Sequence, residues 1–128
     1  MRNILFTGIA VAGILVSSCT SNSDDTSTPV ISITQPATSQ VYNAGDAVQI
    51  KGLLTDNHLH EAKITVSNDA GGPALFSKSI DVHGATSYTI NESFTPVVAV
   101  VVNATVKVEV KDLTGNYAEK KIAVKINP

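Results

Sequence analysis

Residues 105–116 read Thr-Val-Lys-Val-Glu-Val-Lys-Asp-Leu-Thr-Gly-Asn. Val106, Val108 and Val110 alternate with Thr105, Lys107, Glu109 and Lys111, a period of two that puts valines on one face of a strand and charges on the other. Asp112-Leu113-Thr114-Gly115-Asn116 then reads as a tight hairpin, with Asp112 bonding the turn backbone and Gly115 taking a positive φ. Past the turn the alternation resumes, Ile122, Val124 and Ile126 facing inward and Lys121 and Lys125 outward.

The same pattern extends back to Val30. Ile31 and Ile33 alternate with Ser32 and Thr34 until Pro36 ends the first strand, and Asn43-Ala44-Gly45-Asp46 closes the loop that follows. Val48, Ile50 and Leu54 share a face in the second strand, opposite Gln49 and Lys51. Ala62, Ile64 and Val66 form the inner face of the third, which stops at the turn formers of residues 68–73. A fourth strand covers about residues 75–82 with Phe76, Ile80 and Val82 inward, and a fifth covers residues 87–94 with Tyr88, Ile90 and Phe94 inward. Lys78 and Glu92 fall on those inward parities, which a bulge or an edge position would relieve.

About seven short strands and no convincing helix predict an all-β fold, an immunoglobulin-like β-sandwich over residues 30–128. A domain of this size buries roughly 60 to 70% of its unfolded surface. The paired Cys and the Trp of antibody domains are missing, so aliphatic packing must hold the core. The stretch from Pro29 to Asn127 resembles bacterial Ig-like domains: Pro29-Val30-Ile31-Ser32-Ile33 followed by Pro36, Gly45-Asp46 before the second strand, and Asp112-Leu113-Thr114-Gly115-Asn116 before the last.

Ahead of the domain, Arg2 is followed by 13 apolar or small residues, Ile4 to Val16. As a helix this run would reach only about 20 Å against roughly 30 Å of bilayer core, which suits the apolar region of a signal peptide better than a permanent span. Val16-Ser17-Ser18-Cys19 resembles the lipobox of bacterial lipoproteins. That resemblance implies a signal peptide of residues 1–18, cleavage between Ser18 and Cys19, and covalent diacylglycerol plus an N-acyl chain on Cys19, with no other cofactor. An ordinary secretory signal with an incidental Cys is the alternative. Several acyl chains anchor firmly where a single one binds only marginally.

Residues 19–29 form a polar, acidic stretch without apolar periodicity and read as a flexible tether. Ser23-Asp24-Asp25 resembles the Ser-then-acidic tag of surface-exported lipoproteins of the Bacteroidota; two aspartates that merely solvate a linker are the bland alternative. Thr20 does not match the Asp that retains some lipoproteins in the inner membrane. The implied destination is the outer membrane, lipid-anchored, at the cell surface or on the periplasmic face. With Asp56-Asn57-His58-Leu59-His60 after the second strand, the chain is similar to small Ig-like lipoproteins of the Bacteroidota that are classed as a domain of unknown function.

Composition narrows the function further. The 128 residues carry 9 Lys+Arg, 11 Asp+Glu, one Cys and no Trp. This excludes a multidomain enzyme, a disulfide-stapled miniprotein, a wholly disordered chain and a nucleic-acid binder driven by bulk positive charge. No Gly-x-Ser-x-Gly elbow or phosphate-cradling glycine loop occurs, and the only thiol is assigned to lipid, so no enzyme is expected. A non-catalytic binding module remains, its partner an envelope protein or a glycan.

Four features are candidates for contact with ligands. His58, His60 and His83 with Asp56 fall in loops that an Ig sandwich gathers at one end, a set that suits Zn²⁺ or Cu²⁺; solvated loop histidines are the plain alternative. Asp46, Asp56, Asp69 and Asp112 lie in turns and raise calcium, yet none shows the alternating oxygen spacing of a calcium loop, and Asp favours turns for local hydrogen bonds. The run Val97-Val98-Ala99-Val100-Val101-Val102 is either a plug for the sandwich bottom or, through Val98 and Val100, an exposed interface. Of Tyr42, Tyr88 and Tyr117, Tyr117 is the candidate for a glycan contact, or else a strand-end residue packing on its loop.

Overall fold

A computed structural model describes residues 25–128. The predicted cleavage site at Ser18 and Cys19, and Ser23 and Asp24 of the predicted export tag, lie outside the described residues. Among the described residues there are eight strands and no helix: β1 (Val30–Gln35), β2 (Gln40–Tyr42), β3 (Val48–Thr55), β4 (Leu59–Asn68), β5 (Phe76–Asp81), β6 (Ser87–Phe94), β7 (Val102–Asp112) and β8 (Tyr117–Ile126). They form a three-stranded sheet in the order β1-β3-β6 and a five-stranded sheet in the order β2-β8-β7-β4-β5. The chain is an all-β sandwich of the immunoglobulin-like class, as the alternation predicts.

The strand absent from the sequence reading is β2. It is three residues long and pairs in parallel with β8, Gln40 opposite Val124 and Tyr42 opposite Ile126. Too short to show a period, it offers one buried side chain, Tyr42. Every other strand lies where the alternation puts it, because each has one face on the core and one in solvent.

The core fills the space between the sheets. Val48, Ile50 and Leu54 of β3, Ile64 and Val66 of β4, and Val106, Val108 and Val110 of β7 are all buried, packed with Ile122, Val124 and Ile126 of β8. Each such side chain contributes about 1.5–3 kcal/mol through loss of water contact. Gly52 marks a close approach of backbones: a Cβ there would run into the Ser32 carbonyl oxygen and lie 2.9 Å from Ile33 Cδ1. Beside it the β1–β3 register shifts between Ile33 and Gln35.

Lys78 and Glu92 sit on edge strands, with no bulge in either pairing register. β5 ends the five-stranded sheet and β6 the three-stranded one. The two edges meet through the Lys78–Glu92 ion pair at 2.7 Å and through Phe76 stacked on Phe94, ring centroids 4.9 Å apart.

The valine run divides. Val102 is buried and Val98 packs against the core, while Val97 is 95% exposed and Val100 68% exposed. The stretch is therefore neither a uniform plug nor a uniformly exposed strip.

Candidate functional site

The turns β3–β4 and β5–β6 and the hairpin β7–β8 share one end of the sandwich. Main-chain hydrogen bonds lace them together: Leu59 N–H donates to Ala85 O at 2.9 Å, Gly84 N–H to Leu59 O at 2.8 Å, and Leu113 N–H to His58 O at 2.9 Å. The Ig-sandwich strand order thus forecasts correctly that these loops gather at one end.

Asp112 organises this end. It is 2% exposed, and its Oδ1 accepts the N–H groups of Thr114 at 2.9 Å and Asn116 at 2.8 Å. Its Oδ2 accepts from Thr114 Oγ1 at 2.9 Å and Asn116 Nδ2 at 2.6 Å. Burial alone would raise the carboxyl's pKa, but the bonds from Asn116 and Thr114 outweigh it and hold Asp112 below the ordinary Asp value. Gly115, at φ 93°, makes the left-handed step that lets the loop fold back over the carboxylate.

The same loop captures the segment that precedes β1. Asp25 O accepts from Asn116 Nδ2 at 2.7 Å and from Thr114 Oγ1 at 3.0 Å. Asp25, expected in a flexible tether, is therefore fastened to the hairpin. Its Oδ1 accepts from the Ser27 hydroxyl and the Ser27 N–H, and these bonds lower its pKa. Asp56 accepts the His58 N–H at 2.9 Å, which turns the chain so that the exposed His58 ring points toward Asp25, its Nδ1 3.8 Å from Oδ2.

The predicted metal set of His58, His60, His83 and Asp56 is thereby split. His60 and His83 meet, Nδ1 to Nδ1 at 2.9 Å with centroids 5.1 Å apart, so one ring's N–H donates to the other's bare nitrogen. His58 and Asp56 belong instead to the Asp25 and Asp112 side of this end. The reason is a break in the alternation: the β4–β7 register shifts between Leu59 and Glu61, which leaves His60 as the extra residue, so His58 and His60 do not share a side as residues two apart in a regular strand would. A three-histidine centre does not form. The histidine pair borders a shallow groove of about 740 Å³ on the outer face of the five-stranded sheet, with Lys63, Glu109, Lys111 and Tyr117 among its walls.

Tyr117, 43% exposed, donates its hydroxyl between Glu109 Oε1 and Glu119 Oε2, each at 2.8 Å. Desolvation and the two carboxylates push its pKa up. Lys107 and Lys121 flank the same carboxylates at 3.1 and 2.9 Å. The phenol is thus a strut in a charged ladder on the outer face of β7 and β8. The turn aspartates do not act alike: Asp46 closes its own loop on Asn43 N–H, and Asp69 takes the Thr105 hydroxyl, both far from the Asp112 end.

No known protein-family profile matches the chain, and no curated protein does. Among solved structures it is similar to an engineered protein from the Northeast Structural Genomics Consortium, with a TM-score of 0.54 and 16% identity over 79% of this chain. The chain spans only 20% of that structure's length. It is also similar to the fibronectin(III)-like modules of Clostridium thermocellum CbhA, with a TM-score of 0.48 and 16% identity over 76% of this chain and 94% of that one. At 16% identity the first likeness bears on the fold alone.

Proposed function

We propose that this chain is a non-catalytic envelope lipoprotein, an Ig-like interaction module held at the outer membrane by lipid on Cys19. The observation that supports an interaction module is the all-β sandwich itself, and the capture of Asp25 by the β7–β8 hairpin bears on how an anchored domain would be oriented. Between Cys19 and Asp25 lie 25 − 19 = 6 residue steps, at most about 20 Å of extended chain. A lipid on Cys19 would hold the hairpin end near the bilayer and present the opposite end, with exposed Val97, Val100 and Val101, to partners. Lipobox chemistry supports the anchor, and the Ser23-Asp24-Asp25 tag supports export to the surface.

The test is fractionation of cells making the full chain, with labelled palmitate. Cys19→Ser should lose the label and leave the membrane fraction; retention of both would sink the anchor. Protease shaving of intact cells separates the outer face from the periplasmic one. Pull-down from an envelope extract should recover a partner that Val100→Lys loses without loss of folding.

A second reading, a Zn²⁺ or Cu²⁺ domain, draws on the His60–His83 pair. Two nitrogens each about 2.05 Å from a square-planar Cu²⁺ stand about 2.9 Å apart, the separation of the two Nδ1 atoms, whereas tetrahedral Zn²⁺ would spread them to about 3.3 Å. Titration should then show binding that His60→Ala abolishes and His58→Ala leaves intact. Affinity weaker than about 100 μM would remove this reading.

A further inference from the structure

A cross-strand row crosses the outer face of the five-stranded sheet: Tyr117 on β8, Lys111 on β7, Glu61 on β4 and Asp81 on β5. This row floors the groove that His60 and His83 border. From β8 to β5 there are three strand spacings, about 14 Å. The charges are largely matched within the face, Lys111 Nζ standing 3.4 Å from Glu61 Oε1 and Lys107 Nζ 3.1 Å from Glu109 Oε1. Two lysines against three carboxylates line the groove, so it offers no strong field to a polyanion or a polycation.

One side of the groove offers hydrogen bonds of both senses. The bond between the Nδ1 atoms of His60 and His83 fixes opposite tautomers in a neutral pair. The ring that donates through Nδ1 keeps a bare Nε2, an acceptor, and the ring that accepts there carries its hydrogen on Nε2, a donor. Both rings are exposed. Beside them Asp81 Oδ1 takes the His83 N–H at 3.0 Å, and among the described residues neither Asp81 nor Lys63 makes an ion pair. The other side is aromatic. Tyr117 is 43% exposed, and its hydroxyl, tied to Glu109 and Glu119, holds the ring in one orientation.

We propose that this groove binds a neutral polysaccharide, its hydroxyls engaging the His60–His83 pair, Asp81 and Lys63 while one sugar ring lies on Tyr117. A hydroxyl both donates and accepts, so it satisfies a site where donors and acceptors stand side by side. A carboxylate or sulfate would meet the bare Nε2 and the Asp81 carboxylate, and an ammonium group would meet Lys63 and the Nε2–H. An aromatic ring fixed before binding loses little freedom when a sugar covers its apolar face. Three strand spacings suit a chain of sugars rather than a single ring. The proposal rests on the reading of the chain as an interaction module, for which it names a partner class, and it uses neither the lipid anchor nor the valine end.

The test uses the full chain in a sugar-free polyoxyethylene detergent with chelator present. Dextran, laminarin, xyloglucan and α-mannan are the neutral probes and polygalacturonate the anionic one, compared by affinity electrophoresis and then calorimetry. At least one neutral probe should bind with Kd below about 1 mM. Tyr117→Ala should weaken that binding about fivefold, and Lys63→Ala, at an exposed position that the fold does not need, about threefold or more. Val100→Lys should leave it unchanged. Amide shifts caused by the bound probe should centre on Lys63, Ser79 and Lys111; should Tyr117→Ala fail to fold, these shifts and Lys63→Ala decide. The proposal is overturned when no neutral probe binds, when polygalacturonate binds more tightly than all of them, when binding needs added Zn²⁺ or Cu²⁺, or when the folded variants bind like wild type. A protein partner recovered through the Val100 end would stand whatever these probes do, so failure of the groove and failure of the interaction module are told apart.

Discussion

Lys78 Nζ stands 2.7 Å from Glu92 Oε2 and 2.8 Å from Oε1, so one ammonium clamps the free edge of the five-stranded sheet to the free edge of the three-stranded sheet. Both residues lie on inward parities, and the pair closes a side of the sandwich that two unpaired edges would otherwise leave open. Lys78→Met should lower Tm, because the Glu92 side chain is only 15% exposed and would lose its counter-charge. The double variant Lys78→Met/Glu92→Leu should recover most of that loss. Thermal melts of the single and double variants measure the coupling, and strictly additive losses would count against it.

Gly52→Ala should destabilise by about 1–3 kcal/mol. The added methyl meets the Ser32 carbonyl oxygen and Ile33, so β1 has to move off β3. Urea unfolding gives the number, and a midpoint equal to wild type would refute the close approach.

Val100→Lys should change stability by no more than about 0.5 kcal/mol, because Val100 stands in solvent. Ile64→Ala, at a fully buried position, should lose about 2–5 kcal/mol. Comparable losses from the two would return the valine run to the role of a plug.

Acid should unfold the domain through its lowered carboxylates. Asp112 and Asp25 titrate below the ordinary Asp value of 3.8, and Glu109 and Glu119 below the ordinary Glu value of 4.5. Groups with depressed folded pKa values add stability that is whole above the unfolded value and is lost as pH falls through the folded one. Tm should therefore hold steady from pH 7 to about 5 and decline below about 4. Asp112→Asn should lower Tm at pH 7 and flatten the acid decline; a decline as steep as in wild type would remove Asp112 from this account.

Strand positions were legible because seven of the eight strands turn alternate residues toward the core, fully buried in β3, β4, β7 and β8 and partly so in β1, β5 and β6. β2 was not, since three residues cannot display a period and its partner lies more than 80 positions away at Val124 to Ile126. The loops' gathering at one end followed from strand order alone. Which side chains meet there depends on the Asp56–His58 bond and on the register shift between Leu59 and Glu61, which leave His58 facing Asp25 and His60 facing His83. Asp25 read as tether because its partners, Thr114 and Asn116, act through a backbone carbonyl that no sequence pattern marks. The Val97 to Val102 run was ambiguous for a related reason: continuous hydrophobicity has no parity, so only the backbone decides which valines turn inward.

The bond from Asn116 to Asp25 also sets a path for mechanical load. A pull on the N-terminal segment reaches the β7–β8 hairpin first, through two side-chain hydrogen bonds and the Asp112 network behind them, before any force arrives at the β1–β3 ladder. Those two bonds act as a fuse. Were they to yield, the lead would lengthen by the residues between Asp25 and Val30 while the β1–β3 ladder stayed paired.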